Sequence, residues 1–313
     1  MIISASRRTD IPNYYSDWFY NRIKEGYVLV RNPMNIHQIS KILITPDIVD
    51  CIVFWTKNPA PMIKRLNELC KYHYYFQFTL NSYGKDIEPS VPSKNDEVIE
   101  TFKRLSEKIG AEKVIWRYDP VLLNNEYSID YHITYFGKIA HKLNGYTEKC
   151  TISFIDLYRN TANNVKSLNL QVISNDDKRK IAYEFSKIAG ECNLHIDTCA
   201  EDIDLMDFNI THAKCIEDSL IERIIGCKLK IEKDKNQRLE CGCMESIDIG
   251  MYNTCKNECK YCYANYNENT VKKNFGMHDP KSPLLYGVIT DEDKITERFV
   301  KSFKDNQLNL FSD

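Results

Sequence analysis

The stretch CIVFWTKNPAPMIKRLNELCKYHYYFQFTL, residues 51–80, contains two short apolar runs that flank a more polar segment. The runs 51–56 and 74–80 are almost continuously apolar, β-branched and aromatic, which is typical of parallel strands covered on both faces. Similar runs occur at 1–5, 113–118, 150–155 and 194–198 and, more weakly, at 246–251 and 27–31. The pattern predicts a sheet whose central strands are buried on both faces.

Segments with helical periodicity lie between these runs, and glycine marks several of their ends. Segment 94–109 follows Ser93, with Asp96 three residues later as in a capping box, and stops at Gly110. Segment 175–189 follows Ser174 and stops at Gly190. Three further segments, near 14–25, 130–144 and 215–225, stop at Gly26, Gly145 and Gly226. Glycine is favoured there because it adopts the left-handed conformation of a helix cap. Strand then helix, repeated about six times, predicts an α/β barrel or a doubly wound sheet.

The composition limits the classes of function. Lys and Arg number 42 and Asp and Glu 44, so the net charge is −2. That balance argues against a broad basic surface that wraps a duplex, but it leaves a local basic patch open. No apolar run reaches the roughly 18 residues of a membrane span, and residues 1–8 lack a secretory signal pattern. We therefore expect a cytoplasmic protein without membrane contact.

Polar and ionisable residues follow most of the predicted strands. They lie at 4–10, 55–59, 79–81, 117–120, 153–156 and 197–201. In a parallel α/β barrel the carboxyl ends of the strands meet at one face, where reactive groups gather. Loop polarity alone explains any single position, but the whole set, with Trp55 and Arg117 beside carboxylates, favours a lined cleft.

The twelve cysteines are unevenly distributed. In a reducing compartment structural disulfides are disfavoured, and Cys51, Cys70, Cys150 and Cys192 are most simply small buried hydrophobic residues. The other eight lie between residues 199 and 262, and five of them fall within residues 241–262. This clustering indicates metal ligation.

The densest part of the cluster is Cys255-Lys-Asn-Glu-Cys259-Lys-Tyr-Cys262, a C-x3-C-x2-C triad. Three thiolates can hold three irons of a 4Fe–4S cluster and leave the fourth iron open. A structural zinc site needs four ligands. Cys243 could complete such a set, so zinc remains an alternative.

The triad and its flanking aromatic residues resemble the radical S-adenosylmethionine (SAM) superfamily. The resemblance implies that the open iron chelates SAM and that electron transfer from a donor such as a flavodoxin or ferredoxin yields methionine and a 5′-deoxyadenosyl radical. It also implies that Tyr261 lies near the adenine.

The order of the other motifs is similar to the spore photoproduct lyase-like branch of that superfamily, read from its second strand. The matching segments are 9–10 (TD), 56–59 (TKNP), 87–90 (IEPS) and 117–122 (RYDPVL). The resemblance therefore implies a circularly permuted partial (β/α) barrel over residues 1–285, with its cysteine-rich segment at 199–265. The pattern also resembles an uncharacterised bacterial family of unknown function.

The resemblance assigns SAM contacts by position. The superfamily's glycine-rich segment for the SAM amino group is absent, and the hydroxyls of Ser4, Ser6 and Thr9 are its substitutes. Thr79 and Asn81 would meet the ribose hydroxyls.

Arg117 is the expected partner of the SAM carboxylate, because a guanidinium pairs bidentately with carboxylates. The alternative for Arg117 is a salt bridge to Asp119 or to an acid of a neighbouring strand.

A second group of sulfurs consists of Cys199, Cys215, Cys241 and Cys243. Four thiolates are what a closed second 4Fe–4S cluster or a zinc site needs. The alternative is that two or three of them are ordinary buried thiols.

The C-terminal segment 286–313 is polar, and we expect it to lie outside the main fold. It contains Gln307, Leu308, Leu310 and Phe311, a QLNLF sequence similar to the peptide that binds the DNA sliding clamp. A tail that docks its Leu and Phe on its own barrel is the alternative.

The leading hypothesis is a radical SAM iron–sulfur enzyme that abstracts a hydrogen from a carbon of an unknown substrate. The lyase-like branch and the tail together suggest a nucleic acid, for instance a damaged base under repair. A non-catalytic iron–sulfur or zinc protein tethered to the clamp and a radical enzyme for a small metabolite are the alternatives.

Overall fold

The computed structural model describes residues 1–156 and 161–305. Its strands, in chain order, are β1 (Ile2–Ala5), β2 (Tyr27–Asn32), β3 (Asn35–Leu43), β4 (Cys51–Thr56), β5 (Tyr74–Thr79), β6 (Val114–Val121), β7 (Lys149–Phe154), β8 (His195–Thr198), β9 (Thr211–His212), β10 (Ile247–Asp248) and β11 (Lys294–Glu297). Its α-helices are α1 (Ile11–Tyr14), α2 (Ser16–Glu25), α3 (Ala60–Ile63), α4 (Ile99–Ile109), α5 (Ile129–Leu143), α6 (Ala162–Val165), α7 (Asn175–Glu191), α8 (Asp218–Ile225) and α9 (Glu268–Gly276).

Eight strands form one sheet in the order β10-β1-β4-β5-β6-β7-β8-β9, and all neighbours are parallel. From β1 to β9 the spatial order follows the chain order, whereas a doubly wound sheet reverses its order at a switch point. The fold is therefore α/β with a large parallel sheet, and it is compatible with a partial barrel. The exception to the chain order is β10, which lies beside β1.

The two faces of the sheet are covered differently. Alternate residues of a strand point to opposite faces, and the face that we call outer packs against helices through rings such as Trp116, Phe136 and Phe185. The other face, which we call inner, buries Val53 and Tyr75 against the segment 213–221, which runs into α8. The near-continuous apolar runs of the strands follow from this double burial.

The helix ends agree with the sequence at some glycines and not at others. Gly26 and Gly226 cap α2 and α8 in the left-handed conformation, with φ of 75° and 72°. Ser174 forms a capping box with Asp177, but α7 continues through Gly190 to Glu191, so the predicted stop at Gly190 is wrong. Glycine lowers helix stability without forbidding a helix, and packing can override it.

Segment 94–109 also differs from its prediction at the start. It begins with a π-helical turn, Lys94–Val98, and the Oγ of Ser93 donates to the Asp96 carboxylate at 2.6 Å instead of capping the backbone.

A second, three-stranded sheet has the order β11-β3-β2. Strand β2 extends the weakly predicted run 27–31 and forms an antiparallel hairpin with β3, and β11 pairs in parallel with β3. The expectation that the chain after residue 285 lies outside the main fold is therefore wrong up to residue 305. Beyond β11, Ser302 and the backbone of Phe303 donate to the buried carboxylate of Asp50 at 2.5 and 2.7 Å.

Within the described part of the chain, no helix has the length and apolar character that a membrane crossing requires.

Candidate functional site

The three cysteines of the triad lie on one loop, residues 249–266, which we call the cysteine loop. It follows β10, which pairs with β1 through Ile3 beside Ile247 and Ser4 beside Asp248. Parallel strands end at the same edge of a sheet, so the cysteine loop emerges beside the segment that follows β1. The amide of Ile249 extends this pairing by donating to the carbonyl of Ser4 at 3.1 Å.

Short polar contacts hold the cysteine loop in shape. Its ends meet where the amide of Asn253 donates to the carbonyl of Ala264 at 2.8 Å, and the amide of Cys262 donates to the carbonyl of Cys259 at 3.1 Å. Glu258 has a φ of 57°, a left-handed conformation that is uncommon for a residue with a side chain. The chain thus turns sharply just before Cys259.

The triad thiols are largely withdrawn from solvent. Cys255 and Cys259 are 9% and 7% exposed, and Cys262 is half-buried. Burial raises the pKa of all three thiols, that of Cys259 to about 12, against the opposing influence of the Lys57 ammonium on Cys259 and Cys262. Without metal these groups are neutral thiols, so metal binding would replace their protons and take place next to a buried cation.

The motif segments that follow β1, β4 and β5 all contact the cysteine loop. The carboxylate of Asp10 accepts from the Asn257 side chain at 2.9 Å and from the amide of Lys57 at 2.8 Å. The amide of Lys260 donates to the carbonyl of Ile87 at 3.0 Å. Residues that are distant in sequence therefore meet at one edge of the sheet.

A buried ionic network lies directly beside the triad. The Lys57 ammonium donates to the Glu88 carboxylate at 2.6 Å and to the Tyr261 hydroxyl at 2.7 Å, and Lys94 approaches the other Glu88 oxygen at 2.6 Å. Burial alone would raise the pKa of Glu88, but the two ammonium groups outweigh it and hold that pKa at about 2. The hydroxyl of Tyr261, the residue expected near adenine, is engaged in this network.

Two of the three hydroxyls expected to bind SAM have a partner in the protein. Ser4 and Ser6 donate to the carboxylate of Asp248 at 2.8 and 2.5 Å, and so they tie β1 to β10. Thr9 differs, because its Oγ1 is buried and has no hydrogen-bond partner among the described residues. Sequence reasoning did not single out Asp248, which lies in the weakest predicted strand.

The two residues expected at the ribose lie at the end of β5. Thr79 is half-buried. The amide of Asn81 is fully buried and paired, because it donates to the carbonyl of Asp119 at 2.9 Å and accepts from the amide of Asp119 at 2.8 Å. Asn81 therefore fixes the end of the next strand, and the contacts of Thr79 and Asn81 with a ribose stay predictions.

Arg117 forms the protein contacts that were the alternative to a SAM carboxylate. Its guanidinium pairs with Asp119 and donates to Gln77 at 3.2 Å and to the Sγ of Cys215 at 2.8 Å. It also lies over the ring of Trp55, 5.1 Å from the ring centroid. The structure therefore places Arg117 beside the second cysteine group, and a contact with the SAM carboxylate stays a prediction.

The second cysteine group comes together on the inner face of the sheet. The thiol of Cys215 donates to Cys199 at 3.3 Å and also interacts with Cys243, whose other neighbour is Cys241. The hydrogen bond with Cys243 lowers the pKa of Cys241 to about 7 against the effect of burial. We call these four residues the inner tetrad.

The ligand types at both places suit soft metal centres. Among the described residues, no group of three or more His, Cys, Asp or Glu side chains could hold a metal ion as the chain stands. A 4Fe–4S cluster spreads its ligands more widely than a single ion, because each sulfur binds a different iron. Thiolate sets select iron–sulfur clusters or zinc, and the triad supplies three thiols while the inner tetrad supplies four.

The remaining predictions on cysteines and on the tail have mixed outcomes. Cys51, Cys150 and Cys192 are buried as expected, but Cys70 is exposed, at the end of a short 3-10 helix where the chain turns towards β5. The four residues of the predicted clamp peptide lie outside the described residues, so that interaction stays a prediction.

Comparison with known proteins gives one family. A family model described as a domain of unknown function (DUF1848) matches residues 2–264, a range that contains both cysteine groups. No curated protein matches the chain. A crystal structure of a putative alpha-L-fucosidase from Bacteroides thetaiotaomicron is similar over 73% of this chain and 84% of that one, at 10% identity and a TM-score of 0.26, which is too low to support an argument.

Proposed function

The chain belongs to the DUF1848 family of domains of unknown function, and we propose that it is a radical SAM iron–sulfur enzyme on a circularly permuted partial (β/α) barrel. The observation that carries the proposal is the parallel pairing of β10 with β1. A strand, then a cysteine loop, then the neighbouring strand is the spatial order that the radical SAM resemblance requires. In this chain β10 and the cysteine loop come late in the sequence, and the neighbouring strand β1 comes first. A circular permutation would produce this order.

The triad would hold a 4Fe–4S cluster through Cys255, Cys259 and Cys262. When bound, that cluster would pass one electron from a flavodoxin or ferredoxin to SAM, so that the sulfonium–C5′ bond breaks into methionine and a carbon radical. Lys57 would keep a positive charge beside the thiolates, and the network around Glu88 and Tyr261 would keep the cysteine loop rigid. Thr9 is the hydroxyl best placed to accept or donate a hydrogen bond to SAM, because its buried Oγ1 has no other partner among the described residues.

The inner tetrad would hold a second cluster or a zinc ion. Four thiols leave no open coordination position, so this site would stabilise the inner face of the sheet or carry electrons rather than bind SAM. Arg117 would compensate part of the negative charge of its thiolates, because its guanidinium already contacts Cys215.

The decisive experiment measures SAM cleavage. The full chain is reconstituted anaerobically with iron and sulfide, reduced with dithionite and incubated with SAM, and 5′-deoxyadenosine is quantified. We expect turnover in the wild type and in the control Cys70→Ala, which removes an exposed thiol, and none above background in Cys259→Ala. The absence of cubane absorbance, or equal product from Cys259→Ala, would overturn the proposal.

The same measurement, together with a gel-shift assay for nucleic acid, separates the competing functions. A protein that keeps its metal yet forms no 5′-deoxyadenosine is the non-catalytic iron–sulfur or zinc protein. A protein that cleaves SAM but binds no nucleic acid, by a gel-shift assay, is the radical enzyme for a small metabolite.

A further inference from the structure

A cavity of about 510 Å³ lies where β10, the edge strand of the large sheet, faces the small sheet β11-β3-β2. Its wall includes Ser246 and Asp248 from the β10 side, Ile42 of β3, and Tyr263 of the cysteine loop. Its volume lies within the usual range for small-molecule sites, about 300–1,000 Å³. Most residues of the cavity wall take no part in the network of Lys57, Glu88 and Tyr261 beside the triad.

Arginine dominates the charge of this cavity. Arg7, Arg8, Arg31 and Arg298 line it, and Arg31 is neutralised by both carboxylate oxygens of Asp293 at 2.6 and 2.9 Å. The other three guanidinium groups form no salt bridge with any residue in the ranges 1–156 and 161–305. Three unpaired guanidinium groups around one cavity attract an anion.

The two aspartates of the wall, Asp234 and Asp248, offset part of this positive charge, but neither forms a salt bridge with an arginine of the wall within the described ranges. Asp248 accepts from the hydroxyls of Ser4 and Ser6 and from the backbone of Arg7 and Gly250. These bonds stabilise the carboxylate within the wall.

Two buried polar atoms at the wall lack a partner. They are the Nη2 of Arg7 and the Oγ of Ser246, and neither forms a hydrogen bond within the described part of the chain. A buried donor without a partner costs about 1–3 kcal/mol, so two of them at one cavity point to a ligand that accepts hydrogen bonds. The Arg7 guanidinium lies 5.2 Å from the ring centroid of Trp55. Burial lowers the pKa of Arg7, but the nearby Cys243 and Asp248 outweigh this effect.

Aromatic and amide groups complete the wall. Tyr263 is 41% exposed as a whole residue, and the ring of Tyr252 lies under the Arg8 guanidinium at 5.0 Å. Asn236 and Gln237 add side-chain amides. Phenol rings stack on flat heterocycles, and amides bond to their edges.

We propose that this cavity binds a phosphate ester that carries a planar ring, which is the chemistry of a nucleotide. Arg7, Arg8 and Arg298 would hold the phosphate, and Tyr263 would stack on the ring. The inference deepens the proposed function, because Tyr263 follows Cys262 directly and so places the ligand beside the triad. The binding itself does not depend on the proposed function, whereas any radical reaction of the bound ligand does.

The test uses the anaerobically purified full chain without SAM or reductant, so its outcome is independent of radical chemistry. Isothermal titration is carried out with thymidine 5′-monophosphate, with thymidine and with a 5′-phosphorylated oligothymidylate. The variants are Arg8→Gln and Arg298→Gln. The matched control is Arg223→Gln, which removes the same charge from α8, outside the cavity.

We expect both phosphate probes to bind, thymidine to bind at least about tenfold more weakly, and each cavity variant to lose about tenfold in affinity, as for one charge-assisted hydrogen bond. Equal affinity for the two phosphate probes identifies a free nucleotide as the ligand, and much tighter binding of the oligothymidylate identifies a nucleotide within a strand. Absence of saturable binding, equal binding of thymidine, or an equal loss in Arg223→Gln would overturn the proposal, provided that circular dichroism shows each variant folded.

Discussion

The cysteine loop and the inner tetrad present thiols in two different ways within one sheet. The triad lies on a single short loop, and polar groups of three strand ends surround it. The inner tetrad is assembled from the ends of β8 and β9 and from the segment before β10, and its thiols contact one another. The first has three sulfurs beside a cation, and the second has four sulfurs beside Arg117.

This difference separates an open site from a closed one. Three ligands leave a coordination position for an outside molecule, whereas four ligands fill the coordination of a structural or electron-transfer centre. The buried Lys57–Glu88 pair belongs to the open site and holds the loop in one position. The predictions below test whether the two sites are independent in metal content, stability and SAM binding.

The largest expected effect is on metal content. If each site holds a 4Fe–4S cluster, the reconstituted chain carries about eight irons, and Cys259→Ala and Cys243→Ala each retain about four. Only Cys259→Ala loses SAM cleavage outright. Iron analysis together with the 5′-deoxyadenosine assay checks this. If the wild type and Cys243→Ala both carry about four irons, the inner tetrad does not hold a second cluster.

The triad could be read from the sequence because its ligands are local. The spacing of Cys255, Cys259 and Cys262 carries the chemistry by itself, and the apolar runs predicted the central strands closely. The proximity of the inner tetrad was a weaker inference, since contacts over 16 to 44 residues depend on how the strands fold.

The roles of single polar residues could not be predicted in the same way. Arg117 and Asn81 follow strands, as expected, but which partner each one takes depends on side-chain distances that a sequence does not contain. The hairpin partner β3 was missed because its first half is polar and exposed, and so it lacks the alternating pattern of a half-buried strand. Asp248 was missed because β10 is only two residues long.

The largest expected loss of stability comes from Lys57→Met. This change leaves the carboxylate of Glu88 with only Lys94 as a cationic partner, and breaking a buried ion pair costs about 3–5 kcal/mol. Urea unfolding of the metal-free chain measures it. Lys272→Met is the control, because the pair of Lys272 with Glu268 on α9 is exposed and its loss should not be measurable. Equal effects of the two substitutions would contradict a structural role for the network.

Acid should weaken the fold through Glu88. The folded chain holds the pKa of this carboxyl at about 2, below its ordinary value of 4.5. A carboxyl with a lowered pKa contributes stability above the ordinary value and loses it as the pH falls from 4.5 towards 2. The effect is on the order of 3 kcal/mol.

We therefore expect the free energy of unfolding of Glu88→Gln to vary less with pH over that window than that of the wild type. Glu107→Gln, on the exposed side of α4, serves as the control and should follow the wild-type curve. Parallel curves for wild type and Glu88→Gln would show that the network does not depend on this charge.

A smaller effect is expected from Arg117→Lys. The substitution keeps the positive charge but loses the bidentate geometry, so it should weaken the contacts with Asp119 and Cys215. We expect a loss of about 1–3 kcal/mol in the free energy of unfolding and no change in the affinity for SAM. A large loss of SAM affinity with unchanged stability would contradict this assignment. It would indicate that Arg117 binds the SAM carboxylate at the triad instead of supporting the inner tetrad.

The smallest effect distinguishes the hydroxyls of Ser4 and Thr9. Ser4→Ala removes a hydrogen bond to Asp248 and should cost about 1 kcal/mol, whereas Thr9→Val removes a buried hydroxyl without a partner and should leave the free energy of unfolding unchanged or slightly higher. The affinity of the reconstituted protein for SAM, measured by equilibrium dialysis, should show the reverse order. Thr9→Val should weaken SAM binding more than Ser4→Ala, because the Ser4 hydroxyl is already bonded to Asp248. If Ser4→Ala lowers SAM affinity more than Thr9→Val does, as it is expected to lower stability more, the hydroxyl of Thr9 does not bind SAM. The triad site would then lack the one SAM contact that its geometry supports.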